Sequence, residues 1–444
     1  MNYVGTARPI HDAKGKATGY SKYAGDISLP NMAYLCMLHS KIPHGYVKAV
    51  HAEKALALPG VYGVYHCLNT TDRKYNRYCS NFDQAYLPNE ECAFNDYVRF
   101  VGDKIGVVAA CDQETAERAA RLVEVEYEEL PFSIGFDDTL AGKNCLDGET
   151  PVRDEYELDV GEKQGNAEGL IEVCSTMELP RLHHATMETH ACIADYDPYS
   201  DMLTVYCPNQ AVHGIRTVLA DFLEMPESHV RVVKATMGGS FGAKQEWFLE
   251  PVTALVAKKL CRPVKLVYSR GEAMTDTIVR GAMRMSARGY YTPDGEMKEI
   301  YCDVTLDAGA YIGNAGDYVR ALAGKPTRCY RIPYMHYHGQ VISSNSPVSG
   351  AFRSWSAAEE ALMMERQLDA AAEKLGMDRL AIRLKNVARS GEEDKKLHLS
   401  LEDIRIGDAI TLGSEKFGWD KLKAEDAAFN ASQQRYRRGV GIGI

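Results

Sequence analysis

The spacing of apolar and polar residues predicts a helix and then a strand shortly before residue 132. Asp112 is a favoured N-cap residue, and the apolar residues after it recur at helical spacing. The apolar face of this helix consists of Ala116, Ala119, Ala120 and Val123. Valine and tyrosine then alternate with glutamate over 123–128, which is typical of a half-buried strand, and Pro131 follows its end. We therefore end a first domain, 1–132, at this point.

The next stretch, 133–165, is polar and rich in glycine and acidic residues, which predicts a surface connector. Helical and strand spacings alternate irregularly after it. The predicted helices are 212–222, one reaching about Leu260, 356–375 with Gly376 as its stop, and one capped by Asp378. The predicted strands are 203–207, 230–233, 263–268, and a hairpin of 283–288 and 298–306 joined at Thr292–Gly295. This order predicts an α+β fold rather than a doubly wound sheet.

These patterns assign 166–435 to a second domain. The last residues, Arg437–Ile444, form an apolar run that is typical of a strand. A bare apolar strand is a liability because its backbone groups lack partners. We expect 436–444 to be the start of a further domain, completed either by a partner chain or by a longer polypeptide.

Composition and charge exclude several classes of function. The 444 residues contain 51 Lys and Arg against 61 Asp and Glu, a formal net charge of −10. Such a chain is poorly suited to bind nucleic acid or an anionic membrane, because phosphate neutralisation requires clustered cations. No apolar run approaches the roughly 18 residues that span a bilayer, and the sequence starts without an apolar segment. We expect a cytoplasmic protein with no membrane partner.

The twelve cysteines are scattered and include no C-x-x-C pair. Zinc ribbons and cysteine-ligated iron–sulfur clusters therefore lack their usual spacing in this chain. We expect free, mostly buried thiols.

A glycine-rich stretch, Met237–Lys244 (MGGSFGAK), lies between a predicted strand and a predicted helix. Such a loop offers backbone N–H groups to an anion. It is not a P-loop, because Ala243 precedes the lysine and Gln245 follows it, and its glycine spacing is not the dinucleotide fingerprint. A ligand-binding loop and a tight turn that requires positive φ are equally supported.

Two polar groups of residues could contribute chemistry near this loop. Asn209 and Gln210 follow the strand 203–207, where an amide could either bind a cofactor edge or cap the next helix. The cluster of His183, His184, Glu188 and His190 lacks the spacing of a zinc helix, and a strand over Met187–Asp195 would put only the last two on one face. Hydrogen-bonded side chains are favoured there over a metal site.

A third candidate is Arg353, which stands between the aromatic residues Phe352 and Trp355. An arginine in this setting could clamp a planar ligand, although arginine stacking is also common on ordinary surfaces.

Six segments, in order, resemble the molybdenum-binding subunit of the xanthine dehydrogenase/aldehyde oxidase family. Lys16–Val47 and Phe100–Pro131 resemble the two ends of its α/β hammerhead domain. HHATMETHACIA (His183–Ala194) resembles its H-x-x-M-E-P stretch, with Thr189 where proline is usual. The other three are MGGSFGAK, which resembles G-G-G-F-G-G-K; SGAFRSW, which resembles A-F-R-G-F; and the helix pair Leu368–Asn386.

The resemblance implies a hammerhead domain followed by a first molybdenum-cofactor-binding domain. It implies molybdenum held by molybdopterin, commonly as the cytosine dinucleotide, with no metal ligand from the protein. Members hydroxylate a carbon beside nitrogen in an N-heterocycle, or an aldehyde carbon, with oxygen from water. Their electrons leave through [2Fe–2S] clusters and FAD, which the resemblance implies on partner subunits.

The resemblance also implies roles by position. Gln210 would hydrogen-bond an oxo ligand of molybdenum, and Trp355 would pack against a planar substrate. The backbone around the metal would come from Gly239, Ser240, Phe241 and Gly242, and the facing loop from Ala351, Phe352 and Arg353. Gln245 stands where xanthine enzymes carry a substrate-binding glutamate, and Arg320 is displaced by one position from a substrate-polarising arginine.

The chain departs from the family pattern in three respects. Ser240, Ala243 and Ser354 replace glycines, so we expect an altered pocket. Ser349–Trp355 lacks the cysteine of the carbon monoxide dehydrogenase branch, so carbon monoxide oxidation is not expected. The second cofactor-binding domain, with the general-base glutamate, is expected on a second chain or a missing half.

The sequence therefore predicts a molybdenum hydroxylase subunit acting on a purine-type or nicotinate-type ring. An aldehyde oxidoreductase and a non-catalytic binding subunit are the alternatives.

Overall fold

The computed structural model describes residues 3–78, 87–146, 150–163, 168–432 and 435–444. The strands are β1 Ala33–His39, β2 Gly45–His51, β3 Val61–His66, β4 Tyr97–Val98, β5 Lys104–Ala110, β6 Glu124–Glu129, β7 Val152–Gly161, β8 Ile171–Leu179, β9 Ala191–Asp197, β10 Met202–Cys207, β11 Val230–Lys234, β12 Val264–Val267, β13 Ala282–Tyr291, β14 Met297–Gly309, β15 Tyr334–Ser343, β16 Glu393–Asp394 and β17 Leu399–Ser400. The helices are α1 Ala13–Ala17, α2 Glu53–Leu56, α3 Gln113–Ala120, α4 Phe136–Leu140, α5 Val212–Phe222, α6 Glu250–Leu260, α7 Arg270–Asp276, α8 Ala315–Leu322, α9 Pro326–Cys329, α10 Ala357–Leu375, α11 Arg379–Asn386, α12 Ile406–Phe417 and α13 Trp419–Ser432.

Most predicted elements are present, and their ends have the expected chemistry. Asp112 caps α3 by accepting the N–H of Thr115 at 2.7 Å. Asp378 caps α11 in the same way, and Gly376 ends α10 with a φ of 64°. The predicted hairpin is the pair β13 and β14, which turns at 292–295. The α+β fold class is confirmed.

A seven-stranded sheet contains strands from both predicted domains, 1–132 and 166–435. Its order is β11-β10-β9-β12-β1-β5-β3, and the parallel pairing of β1 with β12 begins at Ala33 and Val264. Every residue of β5 is buried, so this strand lies inside the core rather than at a surface. The helices α5 and α6 pack on this sheet, and Trp247 and Phe248 are buried in the same core.

A five-stranded sheet of order β7-β15-β14-β13-β8 forms the second core. Burial alternates along β13, where Met283, Met285 and Ala287 face inward. Helix α10 covers this face with Met363, Met364 and Leu368. A smaller sheet of order β4-β2-β6 completes the N-terminal part, and β16 pairs with β17.

The predicted connector over 133–165 is wrong as a description of local structure. It contains α4, and strand β7 forms an edge of the five-stranded sheet through its pairing with β15. The strand was missed because an edge strand with one solvated face is rich in charged residues. The boundary predicted at 165 and 166 lies outside the described residues.

The predicted strand at Arg437–Ile444 is also wrong, because 435–444 has no regular structure. Ile442 and Ile444 are instead half-buried and pack against the core of the five-stranded sheet. Apolar character alone does not make a strand, which also needs a partner for its backbone groups.

The described cysteines are all free, and Cys79 lies outside the described residues. Four of them, Cys92, Cys192, Cys207 and Cys302, are buried, while Cys111, Cys174 and Cys261 are exposed and the rest are half-buried. Burial raises the pKa of Cys36 and of Cys67 to about 12, which keeps both thiols protonated. Within the described ranges, no helix is long and apolar enough to cross a bilayer.

Candidate functional site

The glycine-rich stretch forms an irregular loop with three residues at positive φ. Gly239, Phe241 and Gly242 have φ values of 98°, 54° and 102°. The helix expected directly after the loop begins only at Glu250, so the loop does not end on a helix N-terminus. Among the described residues, the backbone N–H groups of 239–242 donate to no protein atom. The loop itself can therefore receive an anion or a ligand oxygen.

This loop touches the loop of residues 350–356, here called the facing loop. A Cβ atom added at Gly242 would lie 2.2 Å from the carbonyl oxygen of Ala351, so only glycine allows this approach. A Cβ atom at Gly238 would meet the side chain of Glu188 at 2.5 Å. The glycines therefore serve both as turn residues and as contact points between segments.

Gln210 presents its amide to the same place. Asn209 does not cap α5, whose N-cap residue is Ala211, but its Oδ1 accepts the N–H of Ala211 at 2.7 Å in the turn before the helix. The side chain of Gln210 is exposed, and its Oε1 accepts a hydrogen bond of 2.5 Å from the Ser240 hydroxyl. The Ser240 hydroxyl donates to Oε1, so this contact uses neither N–H of the Gln210 Nε2 group. Both N–H groups therefore remain available as donors. The Nε2 group has no acceptor among the described residues.

The histidine cluster is hydrogen-bonded rather than arranged around a metal. His184 donates from Nε2 to the carbonyl of Ala351 at 2.8 Å, and His190 donates to Ala243 at 2.9 Å. Burial lowers the pKa of both imidazoles to about 4, so both are neutral near pH 7. The expected strand over 187–195 begins only at Ala191, so Glu188 and His190 lie in a loop.

Glu188 and Lys244 form a buried ion pair beneath the glycine-rich loop. Glu188 Oε2 accepts from Lys244 Nζ at 2.6 Å and from the backbone N–H of Gly238 at 2.7 Å. Both side chains are at most 15% exposed. The lysine therefore braces the loop from below instead of extending to a phosphate.

The facing loop is held by an arginine that the sequence analysis missed. Arg280 lies 4.2 Å from the ring centroid of Phe352, donates to the carbonyl of Arg353, and pairs with Glu359. The ring of His184 also packs against Phe352, with ring centroids 4.3 Å apart. Arg353 itself is exposed. The arginine that stacks on Phe352 is therefore Arg280, and not Arg353 as the sequence suggested.

Three consecutive non-glycine residues at the end of this loop have positive φ. Ser354, Trp355 and Ser356 have values of 78°, 36° and 69°. Each such conformation costs about 1–3 kcal/mol and persists only where neighbours impose it. Lys325 supplies part of this restraint by donating to the Trp355 carbonyl and, at 2.6 Å, to the Ser356 hydroxyl.

The three predicted substrate residues, Trp355, Gln245 and Arg320, have different surroundings. Trp355 is half-buried, with its ring 5.8 Å from that of Tyr318. Gln245 is half-buried directly after the glycine-rich loop. Arg320 is engaged elsewhere, because its guanidinium pairs with Asp154 on β7. The structure thus brings Gln210 together with 239–242 and Ala351, and does not bring Arg320 to them.

The described residues contain no group of three or more His, Cys, Asp or Glu side chains arranged to hold a metal ion. Among the described residues, the donors at the site that have no protein acceptor are the backbone N–H groups of 239–242 and the Nε2 group of Gln210. This donor set fits an anionic, oxygen-bearing cofactor that carries its own metal ligands.

Two family models match the chain. One describes a molybdopterin cofactor-binding domain and matches residues 152–387, and the other describes the aldehyde oxidase and xanthine dehydrogenase a/b hammerhead domain and matches 18–131. The first match contains every site residue discussed above. The chain belongs to the xanthine dehydrogenase/aldehyde oxidase family of molybdopterin-binding subunits.

Two curated relatives are each 30% identical to this chain. The xanthine dehydrogenase molybdenum-binding subunit of Escherichia coli O157:H7 aligns with 97% of this chain and 58% of its own length. The nicotinate dehydrogenase large molybdopterin subunit of Eubacterium barkeri aligns with 86% of this chain and 88% of its own. The chain therefore spans a little over half of the first relative and most of the second.

Solved structures share the fold. Quinoline 2-oxidoreductase from Pseudomonas putida 86 superposes with a TM-score of 0.87 at 23% identity, over 96% of this chain and 56% of that one. The aldehyde oxidoreductase from Desulfovibrio gigas gives a TM-score of 0.88 at 24% identity, over 96% and 47%. The hammerhead domain followed by a cofactor-binding domain is confirmed.

Proposed function

We propose that this chain is the molybdopterin-binding part of a hydroxylase that oxidises a carbon next to nitrogen in a purine-type or nicotinate-type ring. The observation that carries the proposal is the exposed amide of Gln210, oriented by Ser240 beside the N–H groups of 239–242, which have no acceptor in the described part of the chain. The nicotinate dehydrogenase subunit, of similar span, supports the choice of an N-heterocycle.

The cofactor would be molybdopterin, as its cytosine dinucleotide, and when bound it would supply oxidation of the substrate carbon with oxygen from water. Gln210 would donate from Nε2 to a ligand oxygen, and Gly239, Ser240, Phe241 and Gly242 would donate from the backbone. Ala351, Phe352 and Arg353 would close the opposite side of the cofactor. None of these roles requires a protein ligand to the metal.

Trp355 and Gln245 are the proposed substrate contacts. Trp355 would pack on the planar ring, and the Gln245 amide would both donate to and accept from ring nitrogen and oxygen atoms. Arg320 is the weakest of the proposed substrate residues, because its charge is already paired with Asp154.

A second molybdenum-binding chain, or a continuation of this one, would supply the general-base glutamate. An iron–sulfur subunit with [2Fe–2S] clusters and an FAD subunit would carry the electrons away. These partners are proposals that follow from family membership.

The test measures molybdenum and pterin in the natively isolated assembly, and its turnover with purines, nicotinate and aromatic aldehydes. We expect near-stoichiometric molybdenum and a preference for the N-heterocycles. The variant Gln210→Ala should reduce turnover at least tenfold. A preference for aldehydes would favour the aldehyde oxidoreductase alternative, and an assembly without molybdenum or pterin would favour a non-catalytic subunit.

A further inference from the structure

Glu246 has a buried carboxyl group and lies between the Gln210 segment and the facing loop. The proposed mechanism does not use it. Only 1% of the surface of Glu246 is exposed to solvent. Its side chain lies against the facing loop so closely that a Cβ atom at Gly350 would be 2.4 Å from Oε1. Neither carboxyl oxygen has a hydrogen bond of normal geometry among the described residues.

The main chain of Glu246 holds the other side of the site. Its carbonyl accepts from Asn209 Nδ2 at 2.8 Å, and the neighbouring Lys244 carbonyl accepts the N–H of Gln210, also at 2.8 Å. One residue therefore contacts the Gln210 segment through its backbone and the Ala351 segment through its carboxyl group.

The charged groups around Glu246 come from the first domain and are already paired. Arg77 is the cation that acts on Glu246, but it pairs with Glu91, which Lys104 on β5 also contacts. Burial would raise the pKa of Glu91, and Arg77 and Lys104 together outweigh burial and lower it. Arg77 thus makes its hydrogen bonds to Glu91 and acts on Glu246 through its charge alone.

The remaining neighbours add no further positive charge. Tyr75 bonds to Glu91, and Arg77 lies over the rings of Phe248 and Tyr311. The facing loop meets the carboxyl group through the backbone at Gly350 and Ala351. Burial raises the pKa of Glu246 to about 8, and Arg77 offsets this only in part.

We propose that Glu246 is a positioning residue whose side chain and backbone, lying between the Gln210 segment and the facing loop, set the separation of these two segments at the cofactor site. Burial opposes the charged carboxylate more strongly than Arg77 and the backbone N–H of Ala351 favour it. Loss of the proton therefore favours conformations in which the facing loop moves away and water reaches the carboxylate. The relevance of this separation to catalysis rests on the proposed function, whereas the protonation and the loop response do not.

The first test is infrared difference spectroscopy of wild-type protein and Glu246→Gln, each in its natively isolated assembly. At pH 7 we expect a carbonyl band of a protonated carboxylic acid that is present in wild type and missing in the variant. The band should disappear as the pH rises past about 8. Absence of this band at pH 7, or its loss at the pH of an ordinary carboxyl group, overturns the proposal.

The second test is hydrogen exchange of the peptide that contains 349–353, corrected for the intrinsic effect of pH. Between pH 7 and pH 9.5 we expect exchange to accelerate about tenfold in wild type and to stay constant in Glu246→Gln. If the variant does not fold, Glu246→Met, neutral and of the same length, replaces it. Equal acceleration in wild type and variant overturns the positioning role.

Glu250→Gln is the matched control. Glu250 is also buried, burial raises its pKa, and its Oε2 accepts the N–H of Phe248 in the first turn of α6. This control should leave both the carbonyl band of Glu246 and the exchange of 349–353 as in wild type. Neither test requires bound cofactor, so an assembly without molybdenum would reject the proposed function and still test the role of Glu246.

Discussion

The Ser240 hydroxyl donates its proton to Oε1 of Gln210 over 2.5 Å and accepts the backbone N–H of Lys244 over 3.1 Å. The two bonds use the hydroxyl in both directions, so they fix which end of the Gln210 amide faces outward. Ser240, which replaces a glycine of the family pattern and was expected to alter the pocket, orients the amide that we propose as a cofactor contact.

Ser240→Ala should therefore weaken the site without unfolding the protein. The loss of one neutral hydrogen bond is worth about 1 kcal/mol, which corresponds to a decrease of roughly fivefold in turnover of the loaded assembly. The control is Ser200→Ala, which removes an exposed hydroxyl bonded to Asp197 and should leave turnover unchanged. Equal turnover in both variants and wild type would show that Ser240 does not orient Gln210.

Gly242→Ala should displace the facing loop. The new Cβ atom would meet the Ala351 carbonyl at 2.2 Å, in addition to the strain of a φ of 102°. Gly418→Ala is the control, because Gly418 has a φ of 74° and nothing within 4 Å of the added atom. We expect about 1 kcal/mol of destabilisation at Gly418 and clearly more at Gly242, measured by thermal unfolding. A similar cost at both positions would mean that the loop contact is adaptable.

Lys244→Met should destabilise the protein strongly. It leaves the carboxylate of Glu188 buried and without its cation, which costs about 3–5 kcal/mol. The double variant Glu188→Gln with Lys244→Met should recover part of this loss, because no charge then remains unpaired. The exposed pair of Lys48 and Glu128, with side chains 57% and 55% exposed, is the control, and Lys48→Met should cost less than about 1 kcal/mol. A cost for Lys244→Met no larger than the control would contradict a bracing role.

Acid should destabilise the site through its neutral histidines. The pKa of His184 and of His190 is about 4 in the folded protein and near 6.5 once the imidazoles are exposed. Between these values the unfolded chain binds more protons, so the free energy of unfolding falls as the pH decreases from 6.5 towards 4. The contribution of each group is on the order of 3 kcal/mol.

The variant His190→Gln should have a shallower pH dependence in that window, measured by denaturant unfolding at several pH values. His213→Gln, which changes an exposed histidine on α5, should keep the wild-type slope. An unchanged slope in His190→Gln would show that His190 does not carry this dependence.

Local chemistry predicted most elements of the fold. Asp112, Asp378 and Gly376 mark helix ends because their side chains or positive φ satisfy groups that a helix leaves unpaired. The same reasoning failed at β7, where the strand is stabilised by pairing with β15 and not by its own pattern. The strand predicted at 437–444 is absent for the opposite reason. The apolar residues there pack on a core, but their backbone does not pair with another strand.

The candidate site also contains residues that the sequence indicated and residues that it did not. The glycine-rich loop, Gln210 and the facing loop stand out in sequence because glycine patterns and an amide after a strand are local features. Arg280 and Glu246 do not stand out, because their roles come from contacts with segments far away in the chain. An acidic residue before an apolar run, as in QEWFLE, is the one feature that could have indicated a buried carboxyl group at Glu246.

Short-range spacing and ordered motifs were enough to predict the α+β class, most helix and strand positions, the family, and the loops that carry the site. They could not predict that β1 pairs with β12 across the predicted domain boundary, or that Arg280 rather than Arg353 stacks on Phe352. Nor could they place Glu246 between the Gln210 segment and the facing loop. Burial, ion pairing and close backbone approach arise only when the fold brings separate segments together, and no single segment carries them.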